Sequence, residues 1–405
     1  MDSIGPQETP SVYRGLLPYY LTISALISLP IWMLLLLPQI LMEQGWSPVL
    51  IGWIIGVYFA VHLSVQISAG QVSSRIGNIG TATLGSVIAI AGGILYVVAL
   101  VVPYLFFPAR ILHGGGAALV FAGALFLLVQ SVPNHLKGRM MGYFGLPGFV
   151  MLAVGPLLAA YLNEAVGSAV MLASVPACFV VVLLLLRRLP QPLDPEKRVR
   201  PSFAQVFRTN LPRLRGILGI SFVFGLSFAV WQTFLASTVG QRIGPSAVSW
   251  FGVGYGGGAI LSRLGLAQHF DHGDRRLIAI ASLALYALSL SLIPHGFRAW
   301  HLLVLGLACG LAHGTFYPGL SSLASERFHP LHTGPAMSLY ISASTLGMFI
   351  GPPLWGSLVE FIGYSSLFGL AGIILFSTTT FFLIREWKRI DRTTHQGYKQ
   401  AGYDA

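Results

Sequence analysis

Charge is what this sequence has least of. Only 9% of its 405 residues are Asp, Glu, Lys or Arg, while 55% are hydrophobic and the mean hydropathy is +0.74. A domain surrounded by water carries about 25% charged residues. The composition therefore excludes an ordinary soluble fold and makes a lipid bilayer the expected solvent. Cysteine is nearly as scarce: Cys178 and Cys309 lie in apolar runs without paired spacing, which excludes a disulfide framework or a cysteine-based zinc site and leaves both as packing residues. The N-terminal stretch MDSIGPQETPSVYRG lacks a basic region followed by a short apolar core and a small-residue cleavage site, so the first hydrophobic run is expected to be kept as a membrane span. There is no HExxH zinc-protease pattern, no GxxxxGK phosphate loop and no polar segment long enough for a nucleotide-hydrolysing domain. Neither an enzymatic activity nor a cofactor is expected.

What the chain does have is apolar windows of membrane-crossing length. A helix needs about 20 mostly apolar residues to cross the hydrocarbon core. Such windows fall near 16–42, 49–72, 80–102, 106–131, 140–163 and 167–187, and again near 216–240, 246–268, 277–294, 300–324, 336–360 and 364–385. The expected architecture is all-α and polytopic, with twelve transmembrane helices in two six-helix bundles. Its parts are an N-terminal segment at 1–15, a first bundle at 16–187, a basic, proline-rich linker at 188–215, a second bundle at 216–385 and a tail at 386–405. With the N-terminus in the cytoplasm, 20 of the 24 Lys and Arg fall in cytoplasmic segments. Arg242 and Arg298 fall on the opposite face, and Arg110 and Arg263 within spans. The charges are scattered along short loops without a stacked aromatic platform, so the net charge of +11 speaks for lipid headgroups and against nucleic acid.

The two bundles are related in sequence. Residues 155–167, GPLLAAYLNEAVG, and residues 351–363, GPPLWGSLVEFIG, share Gly-Pro, two leucines, a glutamate and a closing glycine at an offset of 196, read from the numbering. The same offset pairs Gly56 with Gly252, Gly77 with Gly273, Gly114 with Gly310, Gly138 with Gly334 and Met141 with Met337. Parallel six-span repeats place a solute site near mid-membrane where they meet.

On these residues the chain resembles the major facilitator superfamily over essentially its whole length. The resemblance is carried by the loop Gly70-Gln71-Val72-Ser73-Ser74-Arg75-Ile76-Gly77, by Arg110-Ile111-Leu112-His113-Gly114 in span 4, and by Gly155-Pro156 and Gly351-Pro352 in spans 5 and 11. In that family the loop's acidic residue latches a gate. Here Ser74 takes its place and Asn78 replaces the following Arg, while the second half keeps Asp271, Gly273, Arg275 and Arg276. His113 stands where the span-4 motif has Gln. The antiporter motif of span 5 survives as Gly155-Pro156, with Met151, Ala159 and Ala160 at its flanking glycine positions, whereas span 11 keeps Gly347, Gly351, Pro352 and Gly356. The resemblance implies alternating access, with Gly70, Arg75, Gly77, Asp271, Gly273, Gly155, Pro156, Gly351 and Pro352 in gating or bending roles. It leans toward export.

It also implies that spans 1, 4, 7 and 10 line the cavity, and these hold much of the polar content: Tyr19, Tyr20, Ser24 and Gln39, then Arg110, His113 and Gln130, then Trp231, Gln232 and Thr233, then His313, Thr315 and Tyr317. A charged Arg at a helix centre costs about 3 kcal/mol to insert, so Arg110 needs a partner. Two readings stay open: Arg110 contacts solute or controls coupling, or it ties backbone carbonyls. Arg263 is a further candidate, or a snorkelling side chain. No carboxylate falls mid-membrane by these windows, which argues against a proton-driven exporter of cations and for neutral, zwitterionic or anionic solutes. Proton coupling then falls to histidine, which titrates near neutral pH, with His62, His113 and His313 as candidates, or each is a hydrogen-bonded packing residue. HFDHGD at 269–274 and HPLH at 329–332 have metal-like spacing but lie in loops; no metal is expected. The resulting expectation is a monomeric, proton-coupled exporter of a small organic solute in the cell (inner) membrane, both termini cytoplasmic. An importer or facilitator, or an amphiphile flippase, is the alternative.

Overall fold

Long apolar runs leave the backbone no polar solvent, so every amide must be satisfied within its own helix. The computed structural model describes residues 10–133, 136–190, 203–244, 247–266, 275–296, 298–325 and 333–400. Among the described residues there is no strand. The helices are α1 (Pro10–Met33), α2 (Leu37–Glu43), α3 (Pro48–Ala99), α4 (Phe106–Gln130), α5 (Lys137–Val166), α6 (Ser168–Leu186), α7 (Phe203–Ile243), α8 (Ala247–Leu261), α9 (Arg275–Leu292), α10 (Ala299–Ser325) and α11 (Thr333–Gln400).

Nine stretches among the described residues are long and apolar enough to cross a membrane. Two are too long for one crossing. Pro48–Ala99, at 52 residues, would reach about 78 Å at 1.5 Å per residue. It turns at Gly77, where φ is 74° and ψ is 169°; α11 turns in the same way at Gly363, with φ 74° and ψ 164°. That corner of backbone space is open essentially to glycine alone. Each long helix is thus two spans. With α8, extended by a π-helical turn at Ser262–Leu266, all twelve expected spans have helical counterparts. Span 1 is interrupted by a 3₁₀ turn at Leu34–Leu36 and completed by α2.

The chain divides into two compact units, Met1–Trp46 with Trp53–Arg200, and Ser47–Gly52 with Pro201–Ala405. Packing repeats between them as the sequence does. In the first unit α1 lies on α5; in the second α7 lies on α11. Gly155 permits the first contact, since an added Cβ would come 2.6 Å from Cβ of Trp32; Gly351 permits the second, where it would come 2.6 Å from Cβ of Ala229. Likewise Gly114 admits the Tyr58 backbone, and Gly310 the Tyr255 backbone. Small residues permit close approach where lipid supplies no hydrophobic drive between helices. The cassette's closing glycines match too: Gly167 takes φ 90° and ψ 164°, as Gly363 does nearly.

Helix extends beyond the expected spans at two places. Helix α7 begins at Phe203, inside the stretch read as linker, because Phe203, Val206, Phe207 and Leu211 recur at helical spacing. Helix α11 continues to Gln400, through the stretch read as a tail. Exposed Trp53, Tyr104, Tyr161, Trp250, Trp300 and Phe361 lie near span ends, the position aromatic rings take at a membrane interface.

Candidate functional site

The candidate polar groups gather into one cluster in each unit. In the first unit the organiser is Tyr58, from span 2, which is 2% exposed. The Arg110 guanidinium of α4 lies over its ring, 4.7 Å from the centroid. His62, one turn further along the same helix, stacks on it at 5.7 Å, and His113 meets it edge-on at 5.2 Å. Arg110 is itself buried, donating from Nε to the Ile54 carbonyl and from Nη2 to the Ile55 carbonyl, both at 3.3 Å. No carboxylate among the described residues pairs with it. The tie to backbone carbonyls is therefore present: a bridge from span 4 to span 2, with a ring face in place of a counter-ion.

His113 is wholly buried. Its Nδ1 lies 3.2 Å from the Tyr96 hydroxyl of span 3, and its ring also contacts Phe179 of α6 at 5.7 Å. Its Nε2 and the Tyr58 hydroxyl have no hydrogen-bond partner among the described residues.

The second unit repeats the pattern with different residues. His313 of α10 sets Nδ1 2.8 Å from the Tyr255 hydroxyl of α8, inside a ring of aromatics that includes Phe224, Phe228, Phe316 and Tyr317. Trp231 donates from its indole to the Tyr286 hydroxyl at 2.9 Å and packs on Tyr255. Gln232 is 7% exposed, and its Oε1 has no hydrogen-bond partner among the described residues. Arg263, half-buried, sits on the π-helical turn. A helix that widens by one residue per turn is a frequent mark of functional sites.

Thus Arg110, His113 and His62 come together, as do Trp231, His313 and Tyr317, with Gln232 beside Trp231 on α7 and Arg263 on the π-helical turn after α8. Other cavity candidates bond within their own unit: the Tyr20 hydroxyl meets Ser131 Oγ at 3.4 Å, and Ser24 donates to the Phe144 carbonyl at 2.6 Å. Tyr58, Tyr96, Tyr255 and Tyr286 were not among the sequence candidates. Tyr58 carried a signal, standing four residues before His62 and hence on the same helix face.

Gly70, Arg75 and Gly77 lie where span 2 ends, and only Gly77 leaves helical geometry. Ser74, at the latch position, donates back to the Gln71 carbonyl at 2.7 Å rather than to another span. The link that crosses spans here runs through Asn78, which accepts from Ser73 and donates to Gln130 Oε1 at 2.7 Å, joining the start of span 3 to the end of span 4. Pro156 and Pro352 are buried within their helices beside Gly155 and Gly351. Asp271 and Gly273, with both histidine-containing loop segments, lie outside the described residues. Among the described residues no group of three or more His, Cys, Asp or Glu is placed to hold a metal ion.

Comparison with known proteins supplies the family context. The pattern of the Major Facilitator Superfamily matches residues 20–267 and 217–400. An MFS-type transporter of Salmonella typhimurium strain LT2 is 25% identical over 357 residues, covering 84% of this chain and 88% of the relative. One of Burkholderia pseudomallei strain 1106a is 27% identical over 345 residues, covering 82% of each. Among solved structures, the human organic anion transporter MFSD10 superposes with a TM-score of 0.70 at 17% identity, covering 93% of this chain and all of that one. The nucleoside transporter NupG gives 0.75 at 13% identity, over 91% of this chain and 98% of that one. At such identities these two establish a shared fold.

Proposed function

The chain belongs to the Major Facilitator Superfamily, and from that premise we propose a proton-coupled secondary transporter that exports a small neutral, zwitterionic or anionic organic solute by alternating access. The observation that carries this reading is the paired placement of histidine. Each unit places one on its fourth span, His113 wholly buried and His313 half-buried, with a ring nitrogen at a tyrosine hydroxyl of a neighbouring span, 3.2 Å in one unit and 2.8 Å in the other. Between them these imidazoles can carry a proton in a slab that holds no described mid-span carboxylate. In the same reading Arg110 and His62 belong to the first coupling cluster, with Trp231, Gln232, Arg263, His313 and Tyr317 in the second. Gly70, Arg75, Gly77, Asp271, Gly273 and the two Gly-Pro pairs serve bending and gating.

The solute class draws support from the missing acids, which would otherwise attract cations, and from the organic anion and nucleoside carriers that share the fold. The bacterial relatives support placement in an inner membrane, and the Lys and Arg distribution favours both termini on the cytoplasmic side.

Reconstitution into liposomes with an imposed proton gradient tests the reading. Uphill solute movement that collapses on adding an uncoupler is the expected result. Movement that only runs downhill and ignores the uncoupler would make the protein a facilitator.

A further inference from the structure

One hollow in the first unit lies away from the polar cluster. It is a groove of about 810 Å³ between α1 and α5, lined by Leu17, Leu21, Ala25 and Leu29 on one side and by Leu146 and Val150, among others, on the second. The two helices run in parallel register there, with Ser24 bonded to the Phe144 carbonyl and Ser28 Oγ near Gly148. From Leu17 to Leu29 the groove follows about 18 Å of helix. Its lining is almost without hydrogen-bonding capacity. Thr22 already donates to the Pro18 carbonyl at 2.8 Å, and the other polar side chain is Tyr143. A sugar or nucleoside laid here would leave its hydroxyls unpaired, at a cost that apolar contact does not repay.

One end differs. Tyr143 is overlain by the Arg139 guanidinium, 6.0 Å from its ring centroid, and Lys137 opens the same helix, whose first turn has no acidic residue and no capping side chain. Cationic side chains and uncapped helix N–H groups give this end a positive potential. No acidic residue lies on α1, and the acid of α5, Glu164, stands at its other end.

We propose that this groove holds the apolar body of a single-chain organic anion, with its acidic head at Arg139 and Lys137, so that the transported solute is an anionic amphiphile. This rests on the transporter reading above and narrows its solute class. A volume of about 810 Å³ lies within the 300–1,000 Å³ range of pockets for drug-sized ligands, which favours one tail over a two-chain membrane lipid.

The test is equilibrium binding of radiolabelled decanesulfonate to the full chain in zwitterionic nanodiscs, with empty discs subtracted. No gradient or second compartment is involved, so binding stands or falls independently of transport. Each buried methylene is worth about fourfold in affinity, and butanesulfonate should bind at least tenfold more weakly. Paired Lys137→Gln and Arg139→Gln changes should weaken decanesulfonate by about tenfold or more, and decyltrimethylammonium should not compete. Ala25→Trp should abolish binding by filling the groove. Should that variant misfold, Val150→Trp, at a position 39% exposed, fills it from the other wall. Equal binding of the cation, unchanged binding by the charge variants, or unchanged binding in a folded tryptophan variant would overturn the proposal. So would a tightly retained two-chain phospholipid that decanesulfonate fails to displace.

Discussion

Replacing Arg110 by methionine separates the two things a buried arginine can do. Its two hydrogen bonds to the Ile54 and Ile55 carbonyls are charge-assisted, and such bonds are worth about 1.5–3 kcal/mol each. The contact with the Tyr58 face adds up to about 2 kcal/mol when desolvated. Against this stands about 3 kcal/mol for inserting the charge, and methionine would regain about 1.5–3 kcal/mol of apolar burial. The terms nearly cancel, so Arg110→Met should change stability by less than about 3 kcal/mol. Arg110→Lys should be the less stable variant, because it keeps the charge and loses the planar fork that spans two carbonyls. Equilibrium unfolding in mixed micelles measures both. Transport in proteoliposomes is the second readout, and it should fall at least tenfold in both variants if the cluster couples proton to solute. A loss of more than about 5 kcal/mol in the methionine variant would refute the energy balance. Unchanged transport would reduce Arg110 to a structural tie.

Gly351→Val should force α7 and α11 apart at Ala229, costing about 1–3 kcal/mol by overpacking and lowering transport more than Gly369→Ala, which meets open space; thermal unfolding and uptake check it. Gly363→Ala places a side chain at φ 74°, ψ 164° and should cost about 1–3 kcal/mol with little change in solute affinity. His313→Asn should leave downhill exchange in place while abolishing proton-driven accumulation, seen by comparing uptake with and without a pH gradient. Asn78→Ala removes the bridge to Gln130 and should raise the rate of hydrogen exchange where spans 3 and 4 meet.

The spans were legible because twenty apolar residues in a row admit little else, and the repeat because Gly155 and Gly351 must stay small for their helices to touch. The turns at Gly77 and Gly363 could be placed from the family's loop and the cassette. That they need a single non-helical residue could not, since this depends on the helix axes on either side. Arg110 and His113 stood out as polar groups in a lipid slab. Their organiser did not, because a tyrosine in an apolar run reads as packing until the fold brings Arg110, His62 and His113 around it. Asn78 looked like a lost gate residue. Its bond to Gln130, 52 positions along the chain, is a contact that no local pattern encodes. The apolar groove was hidden for the same reason: leucines on α1 and α5 look alike whether they meet or leave a gap.

Access to Gln232 from the two sides of the membrane is the sharpest test of alternation. It is buried mid-span on α7. A cysteine at that position, with Cys178 and Cys309 replaced by serine, would be probed with an impermeant maleimide from each side, with and without solute and gradient. Alternating access predicts labelling from one side under one condition and from the other under the second, never from both together. Simultaneous labelling from both sides would mean an open pore and would contradict the account.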